Sequence, residues 1–348
     1  MRDGRTYKSI ITTVGLLAAA ASLTGCGGNT GNKQAAATLT KLPITATETG
    51  KQLRLTVPKS VPAGLVTVEL TNAGKAFHEA QLIRLAPGHT PEDALKVIAA
   101  EGSPSPGWIH VAGGTGPAPP GGKRSATQRL RPGNYIVYDA PFQNEGSGLK
   151  FGLASFKVEG EANSGGELPT AVAKIEAYEY GFRASGLTVG KNTIEFSNTG
   201  TEPHHVIAVP YKPGATLAEV RKAFRRTGGV EPPLDYRNVA YTARIDGGAR
   251  QITELDLAKK GKYALLCFVS DRKGGPPHVA QGMVAEIHGA LTVALHERGE
   301  VSTSYPKSNS RAEQVGQKNA NIGSRSISGS SVRHARQPLA DGPLSDPH

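Results

Sequence analysis

The residues of this chain best equipped for chemistry lie between Pro203 and Met283. Cys267 sits in the apolar run Tyr263-Ala-Leu-Leu-Cys-Phe-Val269. His278 and Met283 follow it in Gly275-Pro-Pro-His-Val-Ala-Gln-Gly-Met283, and Pro203-His204-His205-Val206 precedes it. The chain has two cysteines, and the other, Cys26, directly follows an apolar N-terminal run that reads as an export signal. Cys267 therefore lacks a partner for a disulfide within the chain, in a compartment where thiols usually oxidise. Such a thiol is either well buried or in use. Each residue alone has a plainer reading: a cysteine in an apolar strand is commonly inert packing, a methionine near it is core, and either histidine could simply hydrogen-bond.

The elements that position these residues emerge from an internal repeat. Val61-Pro-Ala-Gly-Leu-Val-Thr-Val-Glu-Leu-Thr-Asn-Ala-Gly74 lies over Leu187-Thr-Val-Gly-Lys-Asn-Thr-Ile-Glu-Phe-Ser-Asn-Thr-Gly200 at a shift of 126 residues. The same shift pairs His78 with His204, Pro87-Gly88 with Pro213-Gly214, and Gly121-Gly122 with Gly247-Gly248. Two further residues slip in before Pro132-Gly133-Asn-Tyr135 meets Lys260-Gly261-Lys-Tyr263. A register held this long marks a duplication. Residues 65–71 and 192–197 alternate apolar and polar positions and end in Asn-x-Gly turns, as strands do. Tyr263 to Val269 is short enough for a buried strand, with Tyr263, Leu265 and Cys267 on one face. One helix interrupts each copy, starting at Thr90 and at Thr216, each a threonine cap with an acid in the first turn. The fold class expected is all-β with one inserted helix per repeat, arranged as two β-sandwiches.

Along the second repeat the order of residues resembles the cupredoxins, the blue-copper family. After an Asn-x-Gly turn that family has a histidine followed by a strand, matched by Pro203-His204-His205-Val206-Ile207. Its Gly-x-Tyr-x-Phe-x-Cys landmark is matched by Gly261-x-Tyr263-x-Leu265-x-Cys267, and its histidine, four residues and Gly-Met by His278 through Gly282-Met283. The resemblance implies two tandem Greek-key sandwiches and one type 1-like copper ion held by His204, Cys267, His278 and Met283, with His205 as the fallback ligand. Two imidazoles, a thiolate and a weak axial thioether suit both oxidation states of copper. One departure is the ten residues between Cys267 and His278, where plastocyanin and azurin have two to four. In the first repeat His78 is kept, but Asp139 stands in the cysteine's place and no histidine or methionine follows in residues 148–156. That copy reads as copper-free.

Arg2, Arg5 and Lys8, an apolar stretch over 10–23 and Leu23-Thr-Gly-Cys26 have the layout of a secretory signal ending in what resembles a bacterial lipobox, with Cys26 lipidated. The apolar stretch is too short for a membrane-spanning helix, which needs about 20 residues. The organisation expected is a signal over 1–26, a tether over 27–44, a first domain over 45–160, a linker over 161–170, a second domain over 171–297 and a disordered tail over 298–348. The formal charge of +11 is spread along the chain without a dense basic block bearing interleaved aromatics, so nucleic acid is not an expected partner. No His-x-His pair, Gly-x-Ser-x-Gly elbow, His-Glu-x-x-His helix or phosphate loop occurs, which disfavours the enzyme classes that use them. Three functions remain open: a lipid-anchored extracytoplasmic electron-transfer or copper-handling protein with a redox partner, a metal-free binding module on the same scaffold, and a copper oxidoreductase. The reading adopted is the first, a non-enzyme.

Overall fold

A computed structural model describes residues 39–99, 105–139, 150–161, 166–225 and 230–289. The signal with Cys26, and the expected tail over 298–348, lie outside these residues. In the first repeat the elements are β1 (Thr40–Thr49), β2 (Gln52–Thr56), β3 (Ser60–Pro62), β4 (Gly64–Asn72), β5 (His78–Leu85), α1 (Pro91–Ala99), β6 (Ile109–Ala118), β7 (Lys123–Leu130), β8 (Gly133–Asp139) and β9 (Gly152–Glu159). The second has β10 (Ala173–Tyr178), β11 (Gly181–Ser185), β12 (Gly190–Asn198), β13 (Ile207–Pro210), α2 (Leu217–Arg225), β14 (Ala240–Tyr241), β15 (Arg250–Leu257), β16 (Gly261–Leu266) and β17 (Val284–Gly289). No described helix is long and apolar enough to cross a membrane.

Alternation builds the layers. On β4, Val66, Val68 and Leu70 enter one core with Leu42 and Ile44 of β1; on β12, Ile194 and Phe196 enter another with Ala173 and Ile175 of β10. The opposite walls are a five-stranded sheet, β3-β9-β8-β5-β6, and a four-stranded sheet, β14-β13-β16-β17. The outer face of each wall is covered by its helix: Ala94 of α1 packs on Ile83, Leu85 and Ile136, and Val220 of α2 on Val209, Leu266 and Val284. Both helices begin in reciprocal caps. Thr90 Oγ1 accepts from Asp93 N, and Thr216 Oγ1 from Glu219 N, while each acid accepts from its threonine's backbone N–H.

Two features differ from the sequence expectation. Residues 40–44, expected at the end of the tether, are already strand, because parallel pairing of β1 with β4 buries Leu42 and Ile44 in the first core. The two repeats also share one eight-stranded sheet, β11-β10-β12-β15-β7-β4-β1-β2. Its seam is the antiparallel pairing Gln251↔Gln128, Ile252↔Thr127 and Thr253↔Ala126. Each half-sheet would otherwise expose an edge of unpaired N–H and C=O groups there, and the seam covers part of it with these three pairs. The apolar cores stay separate on either side.

Candidate metal centre

Strand β16 explains why its sequence is apolar without alternation. Tyr263, Leu265 and then Cys267 face the core between the sheets, while Ala264 and Leu266 face the helix layer. The strand enters through Gly261, whose φ of 126° suits glycine. The Tyr263 hydroxyl closes this turn by donating to Lys259 O at 2.8 Å, as Tyr135 does to Arg131 O in the first repeat. Cys267 is the first residue beyond β16, fully buried and unpaired.

His204 comes from the chain leading into β13, the antiparallel neighbour of β16. It is pinned by a double backbone bond to Ile245: His204 N donates to Ile245 O at 3.0 Å, and Ile245 N to His204 O at 2.9 Å. Asn198 fixes the turn before it, donating to Glu202 O and Ile245 O and accepting from Gly200 N. This is the work of the Asn-x-Gly signature, an Asx turn that also reaches across the sandwich.

His278 returns to Cys267 because the ten intervening residues fold as a hairpin. Val279 N donates to Cys267 O at 2.7 Å and His278 N to Val269 O at 2.8 Å, with a turn closed by Gly274 N on Asp271 O. A helical turn follows, Ala280 N to Pro277 O and Gly282 N to Val279 O, and it brings Met283 N to 2.9 Å from His278 O. Met283 is fully buried in the same core cluster as Cys267. The long loop thus lengthens the connection without moving the histidine away.

The donor atoms converge. His204 Nδ1 and His278 Nδ1 are 3.0 Å apart, and Cys267 Sγ lies 3.7 Å from the first and 3.5 Å from the second. The circumcentre of that triangle is about 2.0 Å from all three atoms, where metal bonds to imidazole nitrogen and thiolate run at about 2.0–2.3 Å. His205, the fallback ligand, is turned to the other side, its Nε2 accepting from Phe268 N at 2.9 Å.

The far ring nitrogens meet carboxylates that the sequence reading did not single out. His278 Nε2 is 3.0 Å from Asp271 Oδ1, and the same carboxylate accepts from Tyr180 OH. His204 Nε2 is 3.4 Å from Glu179 Oε1, which is itself held by Thr201 N and Glu202 N. The Asp271 hydrogen bond favours the proton on His278 Nε2 and its Nδ1 lone pair toward the centre, whereas His204 Nε2 is buried without a hydrogen bond, Glu179 being only an electrostatic neighbour. Burial, reinforced by the neighbouring His278, drops the His204 pKa to about 4. Burial also lowers His278, against the opposing pull of Asp271. Both rings are therefore neutral donors at pH 7. Burial raises the Cys267 thiol to about 11, so a metal entering here must displace its proton.

The first repeat supplies a comparison within the chain. His78 is equally buried, but its Nδ1 lies 2.8 Å from Asp139 Oδ2 and its Nε2 2.8 Å from Glu48 Oε1. Burial works against protonation there, yet the two carboxylates raise the His78 pKa above its ordinary value. A carboxylate in the thiol's place turns the ligand position into a buried histidine–carboxylate hydrogen bond, and burial raises the Asp139 pKa too. Glu48 accepts from Lys75 N and Ala76 N as Glu179 accepts from Thr201 N and Glu202 N, so the two carboxylates are held by equivalent backbone groups.

No family model and no curated protein matches the chain. Among solved structures, dithionite-reduced auracyanin from the photosynthetic bacterium Roseiflexus castenholzii is similar at 26% identity, over 33% of this chain and 93% of its own, with a TM-score of 0.22. Auracyanin B gives 20% identity over 35% and 91%, with a TM-score of 0.23. Copper nitrite reductase from Nitrosomonas europaea gives 15% over 74% and 95%, with a TM-score of 0.21. The assignment of the site rests on its own geometry: the cluster of His204, Cys267 and His278, with Met283 buried beside it, fits one type 1 copper ion.

Proposed function

We propose that this protein is an extracytoplasmic copper carrier of electrons, lipid-anchored through Cys26, with its single redox centre in the second repeat. The observation that carries the reading is the burial of the donors. His204, Cys267, His278 and Met283 are each 0% exposed. An electron can cross a few ångströms of packed side chain, whereas a substrate would need an opening to the metal. Copper held there would supply a one-electron couple in a donor set that suits both of its oxidation states.

The chain's own residues do the remaining work. Asp271 orients the His278 ring, the double backbone bond to Ile245 places His204, and the sandwich core around Tyr263, Leu265 and Phe196 excludes water. The hairpin from Cys267 to His278 keeps thiolate and imidazole at fixed separation, so little needs to rearrange when the charge changes. Support for the anchor is the Leu23-Thr-Gly-Cys26 sequence after the apolar run, and two or more acyl chains on one cysteine would suffice for stable attachment. The partner is then another redox protein at the same membrane surface.

Voltammetry of copper-loaded protein tests the proposal. A reversible one-electron wave, lost in Cys267→Ser, is expected. Loaded protein without a reversible wave, or a wave unchanged by Cys267→Ser, overturns it.

A further inference from the structure

The hairpin that carries His278 is bound to the other repeat. Arg272 Nη1 donates to Ile109 O of β6 at 2.9 Å, and its Nη2 donates to Asp246 Oδ1. Its backbone N donates to Glu202 Oε2 at 2.7 Å. Asp246 belongs to a segment that is itself laid along the open edge of β6: Gly113 N donates to Arg244 O at 3.0 Å and Asp246 N to Val111 O at 3.1 Å. Between them, Ile245 makes the double backbone bond to His204 and an antiparallel bridge to Ala112. The edge of the metal-free repeat therefore continues, bond by bond, into the backbone of one copper ligand. The guanidinium fork carries it into the loop of the other.

We propose that Arg272 is a positioning residue for the metal centre, and that the repeat without a metal site is the frame against which the ligand loop is held. The proposal rests on the copper reading above for its consequence, but the clamp itself is a property of the metal-free chain. Arg272 adjoins Asp271, whose carboxylate meets His278 Nε2, so the clamp acts on the same loop that carries this contact. Its planar fork spans a backbone carbonyl and a carboxylate at once, which an ammonium group cannot do in the same geometry. Only 23% of the Arg272 side chain and 20% of the Asp246 side chain are exposed, so solvent competes weakly for these bonds. The degenerate repeat thereby acquires a purpose, since its β6 edge holds the far end of a hairpin whose own backbone bonds join cysteine and histidine.

The test compares Arg272→Gln and Arg272→Lys with the parent chain in two measurements. In metal-free protein, alkylation of the buried Cys267 thiol should be about tenfold faster or more in Arg272→Gln, because the loop opens more often. In copper-loaded protein, the thiolate-to-copper band should change shape and copper release to a chelator should speed up by about tenfold. Arg272→Lys should fall between, keeping one of the two bonds. Arg183→Gln, which removes an ion pair on the outer strand β11, should leave both measurements unchanged. Alkylation within about twofold of the parent, with an unaltered band, overturns the proposal. If the parent chain itself gives no copper band, the copper reading fails, and the alkylation rates alone decide whether Arg272 holds the loop.

Discussion

The neutral state of His204 makes the metal-free protein sensitive to acid by an amount that can be worked out. In the unfolded chain the ring takes up a proton near pH 6.5; in the folded chain it does so only near pH 4, because burial and His278 disfavour the charge. Between those values the unfolded state holds more protons, so stability falls as pH falls, and the loss is complete below the folded pKa. Between pH 7.5 and pH 4.5 the linkage integral for this one group is about 2.5 kcal/mol. His278, also lowered, adds in the same direction. The assay is the urea midpoint of reduced, metal-free protein at the two pH values, for the parent chain and for His204→Asn. The parent should lose about 2–3 kcal/mol more than the variant. Equal losses would refute the claim that the ring is held neutral by its surroundings.

Three further outcomes follow from the same geometry. Met283→Leu conserves volume and should cost under about 1.5 kcal/mol; loaded with copper, it should keep the thiolate band and raise the reduction potential, since a weak donor to the oxidised ion is gone. A potential equal to the parent's would remove Met283 from the ligand set. Asn198→Ala deletes three hydrogen bonds around the His204 turn and should cost about 3 kcal/mol in chemical denaturation; a loss below about 1 kcal/mol would show that the turn forms without it. Cys26→Ala should leave the protein exported but unanchored or unprocessed, and membrane fractionation finding parent and variant equally soluble would refute the lipid anchor.

The sequence made the site legible because its parts are local. Gly261-x-Tyr263 and the Asn198-x-Gly200 turn are short-range devices, and the order of His204, Cys267, His278 and Met283 survives whatever lies between them. The ten-residue gap between Cys267 and His278 is closed by hairpin pairing, Ser270 opposite Pro277 and Val279 on Cys267, that periodicity cannot show. The carboxylates behind the rings were missed for a different reason. Ala46-Thr-Glu48-Thr-Gly50 and Ala177-Tyr-Glu179-Tyr-Gly181 match at a shift of 131 residues, five off the register of the rest of the repeat. A search at one fixed shift passes over them. The seam between β7 and β15 carried no signal at all, because an edge strand and a central strand of an antiparallel sheet alternate alike.

The most direct test of the central claim is the visible spectrum of purified protein, its thiol shown to be reduced, titrated with Cu(II). One intense thiolate-to-copper band, saturating at one copper per chain and absent in Cys267→Ser, is the result the geometry of His204, Cys267 and His278 predicts. A colourless titration of folded, reduced protein would contradict it.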